Sequence, residues 1–453
     1  MTDIATNETP TEGGMGDGAG ESLKDQIFPA DLRTPEMVMA ELGAGVGEAN
    51  ELSLDAINPV NAHLFREHRW HDHFARLRSE DPVHFNEIDI AGRFWSITKY
   101  EDVRAVDGDW ETFSSASGIT LGPKIGTGRG TGLVTPFIAM DPPDQTAQRK
   151  TVRGISAPSS LRNLDPLIRE RTVAVLDSLP EGETFDWVDQ VSVELTTLLL
   201  AALFDFPLED RRKLTRWSDI VFAIPQPGGI VESQEQKREE MLECVAYFEH
   251  LWELRRENPG FDLVSMLVHG EATKEMPTIA HLGNLLLLIV GGNDTTRNTM
   301  SGSVYGLNKY PEQYDKLIAD PSLVSQMVPE IIRWVTPLSY MRRTATRDTE
   351  LGGKQIRKDD QLLMWYVSAN RDEDMFPNAE AIDIERPNAD RHLSFGYGVH
   401  FCMGSRLAEL QLRILWEELL QRFERVEVVG EPERVFSSFV NGYATLPVQV
   451  RRN

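Results

Sequence analysis

Cysteine is nearly absent from the 453-residue chain: there are two, Cys244 and Cys402. A disulfide framework needs more pairs than that, so a packed core must hold the fold, and a reducing cytoplasm is expected. Long apolar runs are missing too. The longest, 198–204, is seven residues and runs into Asp205, far short of the roughly 20 that a spanning helix needs. No basic segment followed by an apolar one opens the chain, so neither a secretory leader nor a membrane span is expected. Positive charge is scarce: 46 Lys and Arg face 71 Asp and Glu, a net charge of -25. Phosphate backbones would be repelled, which argues against nucleic acid as a partner.

Apolar residues, in contrast, make up 41% of the chain, enough to bury a large core. Residues 1–50 differ in texture from the rest. Gly, Thr and acidic residues dominate there, opposed only by Lys24 and Arg33. This predicts an acidic, Gly-rich and largely disordered extension, with a short amphipathic helix over 31–42. Residues 51–453 are expected to form a single, mostly helical domain with small sheets. The stretch 83–98 reads as a hairpin and 118–132 as a long glycine-rich loop. Helical patterns dominate 145–300, broken at 225–229, and short strands return over 349–367 with a turn at Gly352 and Gly353.

The densest chemical signal is Phe395-Gly-Tyr-Gly-Val-His-Phe-Cys-Met-Gly404. A lone cysteine sits in a glycine-rich loop before a helix expected over 403–423. Glycines permit close backbone approach and unusual dihedrals. Backbone N–H groups at a helix start stabilise a thiolate, and such a thiolate can ligate haem iron. The bland alternative is a buried, inert cysteine on a helix cap. A second signal, Gly291-Gly-Asn-Asp-Thr-Thr296, lies inside a helix expected over 278–309. These residue types make a poor helix interior, and a rule broken mid-helix marks function or strain. Their bland alternatives are a solvated Asp294 and a Thr295 bonded back to the preceding turn. Glu330 and Arg333, at i and i+3, are by themselves an ordinary helix pair worth about 0.2–0.5 kcal/mol. Cys244 reads as a small apolar filler. His68, His71 and His73 lack further ligands at convincing spacing and read as surface helix histidines.

The cysteine loop resembles, at every defined position, the F-G-x-G-x-H-x-C-x-G ligand loop of the cytochrome P-450 superfamily. The likeness extends over most of the chain, from residue 55 onward. It implies that family's fold, mainly α with small β-sheets, with haem between a long distal helix and the cysteine loop. It implies a haem-thiolate monooxygenase using haem b and O2, with Cys402 as axial iron ligand in the loop that Phe395 and Gly396 open. His400 would then be a haem-propionate partner. The segment 291–296 looks like the family's oxygen-activation segment, in which glycines clear space above the iron and let the helix bulge. Asp294 and Thr295 match its acid–alcohol pair, which relays protons. Glu330 and Arg333, with Arg386 in Asp383-Ile-Glu-Arg386, match a structural charge cluster behind the haem. Met140-Asp-Pro-Pro-Asp-Gln-Thr-Ala-Gln-Arg149 resembles D-P-P-x-H-x-x-x-R. Arg149 is retained as a propionate partner, whereas Gln145 stands where histidine is usual and brings a donor without charge. Arg343 matches another propionate arginine.

Within the superfamily, 289–300, 392–397 and 406–420 resemble soluble bacterial terminal hydroxylases of medium-chain alkanes and fatty acids. That implies ω-hydroxylation to primary alcohols or ω-hydroxy acids. Candidate liners of a pocket for a hydrophobic small molecule are Ile119, Leu121, Val134, Val290, Gly291, Leu338, Met341 and Phe439, each of which could equally be core. Phe401 departs from close relatives, where arginine often precedes the cysteine. A monomer served by a separate ferredoxin and ferredoxin reductase is expected, docking on local positive charge at Lys150, Arg153 and Arg406. Two alternatives stay open. One is hydroxylation of a terpenoid or steroid. The other is a haem-thiolate gas-binding or sensor protein, which would have no need of Asp294 and Thr295.

Overall fold

A computed structural model describes residues 47–88, 92–121, 135–223, 225, 228–276 and 278–453. The helix expected over 31–42, nearly all of the N-terminal extension, most of the 118–132 loop and Val134 lie outside the described residues.

Helix α1 (Trp70–Glu80) leads into the expected hairpin, β1 (Val83–Ile88) and β2 (Gly92–Ile97), with Val83 opposite Ile97. After α2 (Tyr100–Gly108) and β3 (Phe113–Ser114) come α3 (Asp144–Val152), α4 (Pro158–Asp177) and the short β4 (Phe185–Asp186). Then α5 (Glu194–Phe204), α6 (Arg211–Phe222), α7 (Gln234–Glu257) and α8 (Leu263–His269) precede α9 (Thr278–Lys309). The break between α6 and α7 falls where the Pro225–Gly229 composition predicts it. Helix α7 starts at a side-chain cap, Ser233 accepting from the Gln236 N–H, and α8 starts likewise at Asp262. Helices α10 (Pro311–Ala319) and α11 (Val324–Val335) lead to β5 (Tyr340–Ala345), β6 (Thr349–Leu351), β7 (Lys354–Ile356) and β8 (Gln361–Trp365). The chain closes with α12 (Ser405–Arg422), β9 (Phe423–Val428), β10 (Glu433–Arg434), β11 (Tyr443–Thr445) and β12 (Pro447–Arg452). The largest sheet runs β1-β2-β8-β5-β3, antiparallel except for β2 beside β8. The architecture is the mainly α fold with small sheets that the sequence predicts.

Helix α9 has 32 residues and spans about 48 Å at 1.5 Å per residue. Its closeness to its neighbours depends on glycine. A Cβ on Gly302 would lie 2.5 Å from a methyl of Val335 on α11, and one on Gly306 would lie 2.7 Å from Ile382.

Glu330 and Arg333 on α11 are fully buried, which an ordinary surface pair is not. Arg333 Nε donates to Glu330 Oε2 at 2.7 Å and Nη2 to Oε1 at 2.8 Å. Its Nη1 donates to the carbonyls of Asn370 and Ala379. Arg386 Nε reaches both Glu330 oxygens, at 3.2 and 3.1 Å, and the Asp383 N–H adds a further donor. The three expected members therefore meet. They tie α11 to the irregular segment 370–386, in which every buried charge has partners. Helix α11 ends at Thr336, in the left-handed region at φ 44°, with its hydroxyl donating back to the Arg333 carbonyl. Pro337 then stops the helix, and Leu338 pairs across a lone bridge with Val440.

Removing one partner of such a buried pair is costly. Arg333→Met is expected to lower stability by about 3–5 kcal/mol, read from the denaturant midpoint. A loss under about 1 kcal/mol, the scale of an exposed pair, would remove the cluster from its bracing role.

Candidate functional site

The cysteine loop is held by backbone and by buried polar groups from distant segments. Gly398 has φ +70°, and a Cβ there would lie 2.9 Å from the Asp107 carbonyl oxygen, so only glycine fits. The Cys402 N–H closes the loop on the Phe395 carbonyl at 2.8 Å. Phe395 is half-buried against the core cluster that contains α11 and α12 residues. Cys402 is half-buried as a residue, and its sulfur accepts from the N–H groups of Gly404 and Ser405 at the start of α12, the arrangement expected from the helix start. Burial nevertheless raises the thiol pKa above its ordinary value, outweighing those donors and the Arg149 charge. A bound metal ion is what keeps such a sulfur deprotonated.

Three basic side chains gather beside this loop. His400 is pushed down to about 3 by burial and then by the charges of Arg343 and Arg149, so it is neutral. Its Nε2 lies 3.0 Å from the Ser115 hydroxyl, and Ser115 is itself held by Asp141, which accepts from the Ser115 N–H at 2.9 Å. Arg343 Nη2 donates to Asp107 Oδ1 at 2.6 Å. Gln145 and Arg149, one turn apart on α3, face the loop backbone. Gln145 Nε2 donates to the Val399 carbonyl at 2.9 Å, and Arg149 Nη2 donates to the Phe401 carbonyl. Gln145 thus brings a donor without charge, as its side chain implies, and here the half-buried Val399 carbonyl accepts it.

Asp107 went unnoticed in the sequence. It is 1% exposed, and its second oxygen accepts from Tyr366 Oη at 2.9 Å and the Tyr397 N–H at 2.8 Å. It thus joins α2, β5 and the cysteine loop. The signal was available: an acid four residues after Val103, on the buried face of α2, needs a partner.

On α9, the expected bulge is absent, and the helix runs unbroken through 291–296. The Thr295 hydroxyl donates to the Gly291 carbonyl at 2.8 Å, the back-bonded arrangement. Asp294 is buried, not solvated, and Arg297 Nη2 donates to its Oδ1 at 2.9 Å. Burial raises the Asp294 carboxyl above the usual range, with Arg297 opposing. The two glycines have separate reasons. Gly291 is exposed in mid-helix and a Cβ there would meet nothing within 4 Å; a Cβ on Gly292 would lie 2.8 Å from Leu200 of α5. Clearing space therefore falls to Gly291 alone, and Gly292 serves packing. Among the liner candidates, Leu121, Leu338, Met341 and Phe439 share one apolar cluster with Tyr340 and Val440. Ile119 is half-buried, its carbonyl accepting from the Arg342 N–H. Val290 is half-buried on α9.

These residues fit a haem. The loop offers a sulfur backed by two N–H donors, and His400, Arg149 and Arg343 offer groups for carboxylates. A mid-helix glycine offers an open face. Cys244 is buried in an apolar cluster, as expected of a filler. His68 and His71 meet at 3.3 Å between Nε2 atoms, and His71 also contacts Glu380; among the described residues no metal-holding group of three ligands exists. His73 is buried rather than on the surface, and its ring nitrogens lie near the carbonyls of Arg69 and Gly47.

Comparisons with known proteins agree with this geometry. A family model described as cytochrome P-450 matches residues 228–447. Linalool 8-monooxygenase of Pseudomonas putida is 36% identical over 397 residues, covering 86% of this chain and 97% of that protein. A methyl-branched lipid omega-hydroxylase of Mycobacterium bovis is 32% identical over 391 residues, covering 83% and 90%. Among solved structures, CYP153D17 from Sphingomonas sp. PAMC 26605 superposes with a TM-score of 0.80 at 49% identity, covering 86% of this chain and 98% of that one. Cytochrome P-450-153 from Novosphingobium aromaticivorans gives 0.80 at 44%, covering 87% and 99%.

The different surroundings of the two glycines predict opposite effects. Gly291→Ala is expected to raise stability by up to about 1 kcal/mol through helix propensity. Gly292→Ala is expected to lower it by about 1–3 kcal/mol by pressing on Leu200. Denaturant midpoints that move together would overturn the distinction.

Proposed function

The chain belongs to the cytochrome P-450 family, a family of haem b monooxygenases, and from that premise we propose that it hydroxylates the terminal methyl of medium-chain alkanes or fatty acids. The observation that carries this reading is the likeness to an omega-hydroxylase over 90% of that relative's length. The apolar grouping of Leu121, Leu338, Met341 and Phe439 supports it. In the reaction, one oxygen atom enters a C–H bond and the other leaves as water, at the expense of two electrons and two protons. Bound haem supplies the activation of O2, favoured by thiolate ligation. Cys402 would be that thiolate; His400, Arg149 and Arg343 would hold the propionates. Thr295 and Asp294 would hold and pass protons on the α9 side. Residues 51–453 would form this one domain, acting as a monomer in the cytoplasm behind the acidic extension. A second reading, oxidation of a terpenoid, is favoured by the name of the linalool relative.

A terminal C–H bond is stronger than its subterminal neighbour, so the site must hold the methyl in place rather than follow reactivity. Leu338, fixed by the Thr336–Pro337 helix end, would supply that wall. Leu338→Ala is expected to raise the subterminal share of product from a medium-length chain. A loss of about 2–5 kcal/mol in stability with an unchanged product ratio would make Leu338 ordinary core. The substrate class is tested by the spin-state shift of the haem spectrum across alkanes, fatty acids and terpenoids. A response to terpenoids alone, with no turnover of linear chains, would overturn the alkyl-chain reading.

Electrons come from a redox partner, which we take to be an acidic ferredoxin with its reductase. Lys150, Arg153 and Arg406 are exposed, and none of them makes an ion pair among the described residues. Phe401, 43% exposed, adds an apolar centre near Arg406 in the chain. Reversing all three charges is expected to weaken ferredoxin binding strongly at low salt and less at high salt. Unchanged binding at low salt would place the docking face elsewhere.

A further inference from the structure

Asp219 has no part in the reading above. It lies on α6 with 24% of its side chain exposed, and it reaches inward to α9. There Arg297 Nη2 donates to Asp219 Oδ1 at 2.7 Å and to Asp294 Oδ1 at 2.9 Å. Two carboxylates from two helices thus share one guanidinium nitrogen. The arginine is otherwise under-committed. Its Nε is buried without a hydrogen bond, whereas arginine facing a single carboxylate favours two parallel bonds. Two further groups face Asp294. Asn293 Nδ2 lies 3.3 Å from its Oδ1, and the Ser218 hydroxyl of α6 faces it without a hydrogen bond of ordinary geometry.

We propose that Asp219 is a positioning residue for proton delivery: holding Arg297 from the solvent side, it leaves Asp294 half-paired and able to pass a proton toward Thr295. The proposal rests on the proton-relay reading of Asp294 and Thr295. In each transfer, a hydronium ion of the solvent at the α6 surface gives up a proton, its O–H bond breaking to leave water, and an O–H bond forms on the Asp294 carboxylate. That bond then breaks as the proton moves to the Thr295 oxygen, whose hydroxyl has left the Gly291 carbonyl and passes its own proton on. The carboxylate and the hydroxyl are regenerated, and the proton passed on is consumed in forming the water of the overall reaction. Without the Asp219 charge, all of the Arg297 charge falls on Asp294. The carboxylate can then take both Nε and Nη2 as donors, and it holds a proton less readily. The direction follows from the charges: Asp219 and burial favour protonated Asp294, and Arg297 opposes it.

Asp219→Asn preserves size at a partly exposed position and is the first variant. Infrared spectra of the haem-loaded protein at rest, taken across the mildly acidic range, follow the protonated carboxyl band that disappears in Asp294→Asn. In Asp219→Asn the midpoint of that band is expected to fall by about one pH unit, a tenfold loss of proton affinity. The share of electrons diverted to hydrogen peroxide should rise in the same variant, and Asp219→Glu should restore both. An unmoved midpoint would show that Asp219 only braces α6 and would overturn the proposal. The premise fails separately: wild-type coupling in both Asp294→Asn and Thr295→Ala would overturn the relay itself, whatever the band does.

Discussion

A carboxylate with no exposed surface must find its counter-charges inside the protein, and Glu330 finds two arginines. Their remaining N–H groups then need carbonyls, which the segment 370–386 supplies by wrapping around them. The wrapping fixes Asn370, whose Nδ2 donates to Thr336 Oγ1 at 2.9 Å and to Ser394 Oγ at 2.8 Å. The Leu393 N–H donates to Asn370 Oδ1, and Ser394 Oγ donates to the Ile332 carbonyl. Phe395 follows directly, and its carbonyl receives the Cys402 N–H. A run of hydrogen bonds, completed by the Ser394–Phe395 peptide link, thus leads from the charge cluster on α11 to the candidate ligand. The same run sets the left-handed turn at Thr336 from which Leu338 emerges. Position at the sulfur and position at the proposed substrate wall therefore depend on one buried cluster, whose satisfied polar groups favour a single arrangement.

Asp107 anchors the loop's other side. Its two oxygens divide their work: one binds Arg343, the other Tyr366 and the backbone of Tyr397. Gly398 lies against the same turn of α2. The loop is therefore fixed by α2 on one side and α3 on the other, through Gln145 and Arg149. Gln145 carries no charge, so this contact leaves Arg343 and Arg149 as the two permanent cations beside His400. The arrangement keeps basic groups together at one edge of the loop within a chain whose net charge is -25.

Much of this was legible in the sequence because it is local. The cysteine loop, the long helix over 278–309 and the hairpin over 83–98 each carry their signal within a short window, and glycine placement or alternation announces it. Glu330 and Arg333 were legible only through family likeness, since an i, i+3 pair is ordinary; burial makes it exceptional. The contacts that finish the site escaped because they join distant residues. Asp107 and Arg343 are 236 positions apart, Ser115 and His400 285, and Asp219 and Arg297 78. A polar residue on an apolar face signals that some partner exists, but the fold alone says which. The expected bulge at 291–296 failed for a related reason. Gly and Thr lower helix propensity, but tertiary packing on both sides of α9 holds the helix regular.

That regularity explains how one polar segment serves several purposes. Successive residues on an α-helix point about 100° apart, so neighbours in the motif meet different surroundings. Gly292 lies against Leu200, and the Asn293 side chain accepts from the Thr196 hydroxyl, both on α5. Asp294 and Arg297, three apart, turn together toward Asp219 on α6. Gly291 and Thr295, four apart, share the exposed face, with Thr295 occupied by the Gly291 carbonyl. Asn298 Oδ1 accepts from the Tyr443 N–H at the start of β11. A bulge would rotate every residue beyond it and break the Asn298 and Arg297 contacts at once. The helix is kept unbroken by the partners of its buried polar residues, and the open face at Gly291 comes from a missing side chain rather than a break in the helix.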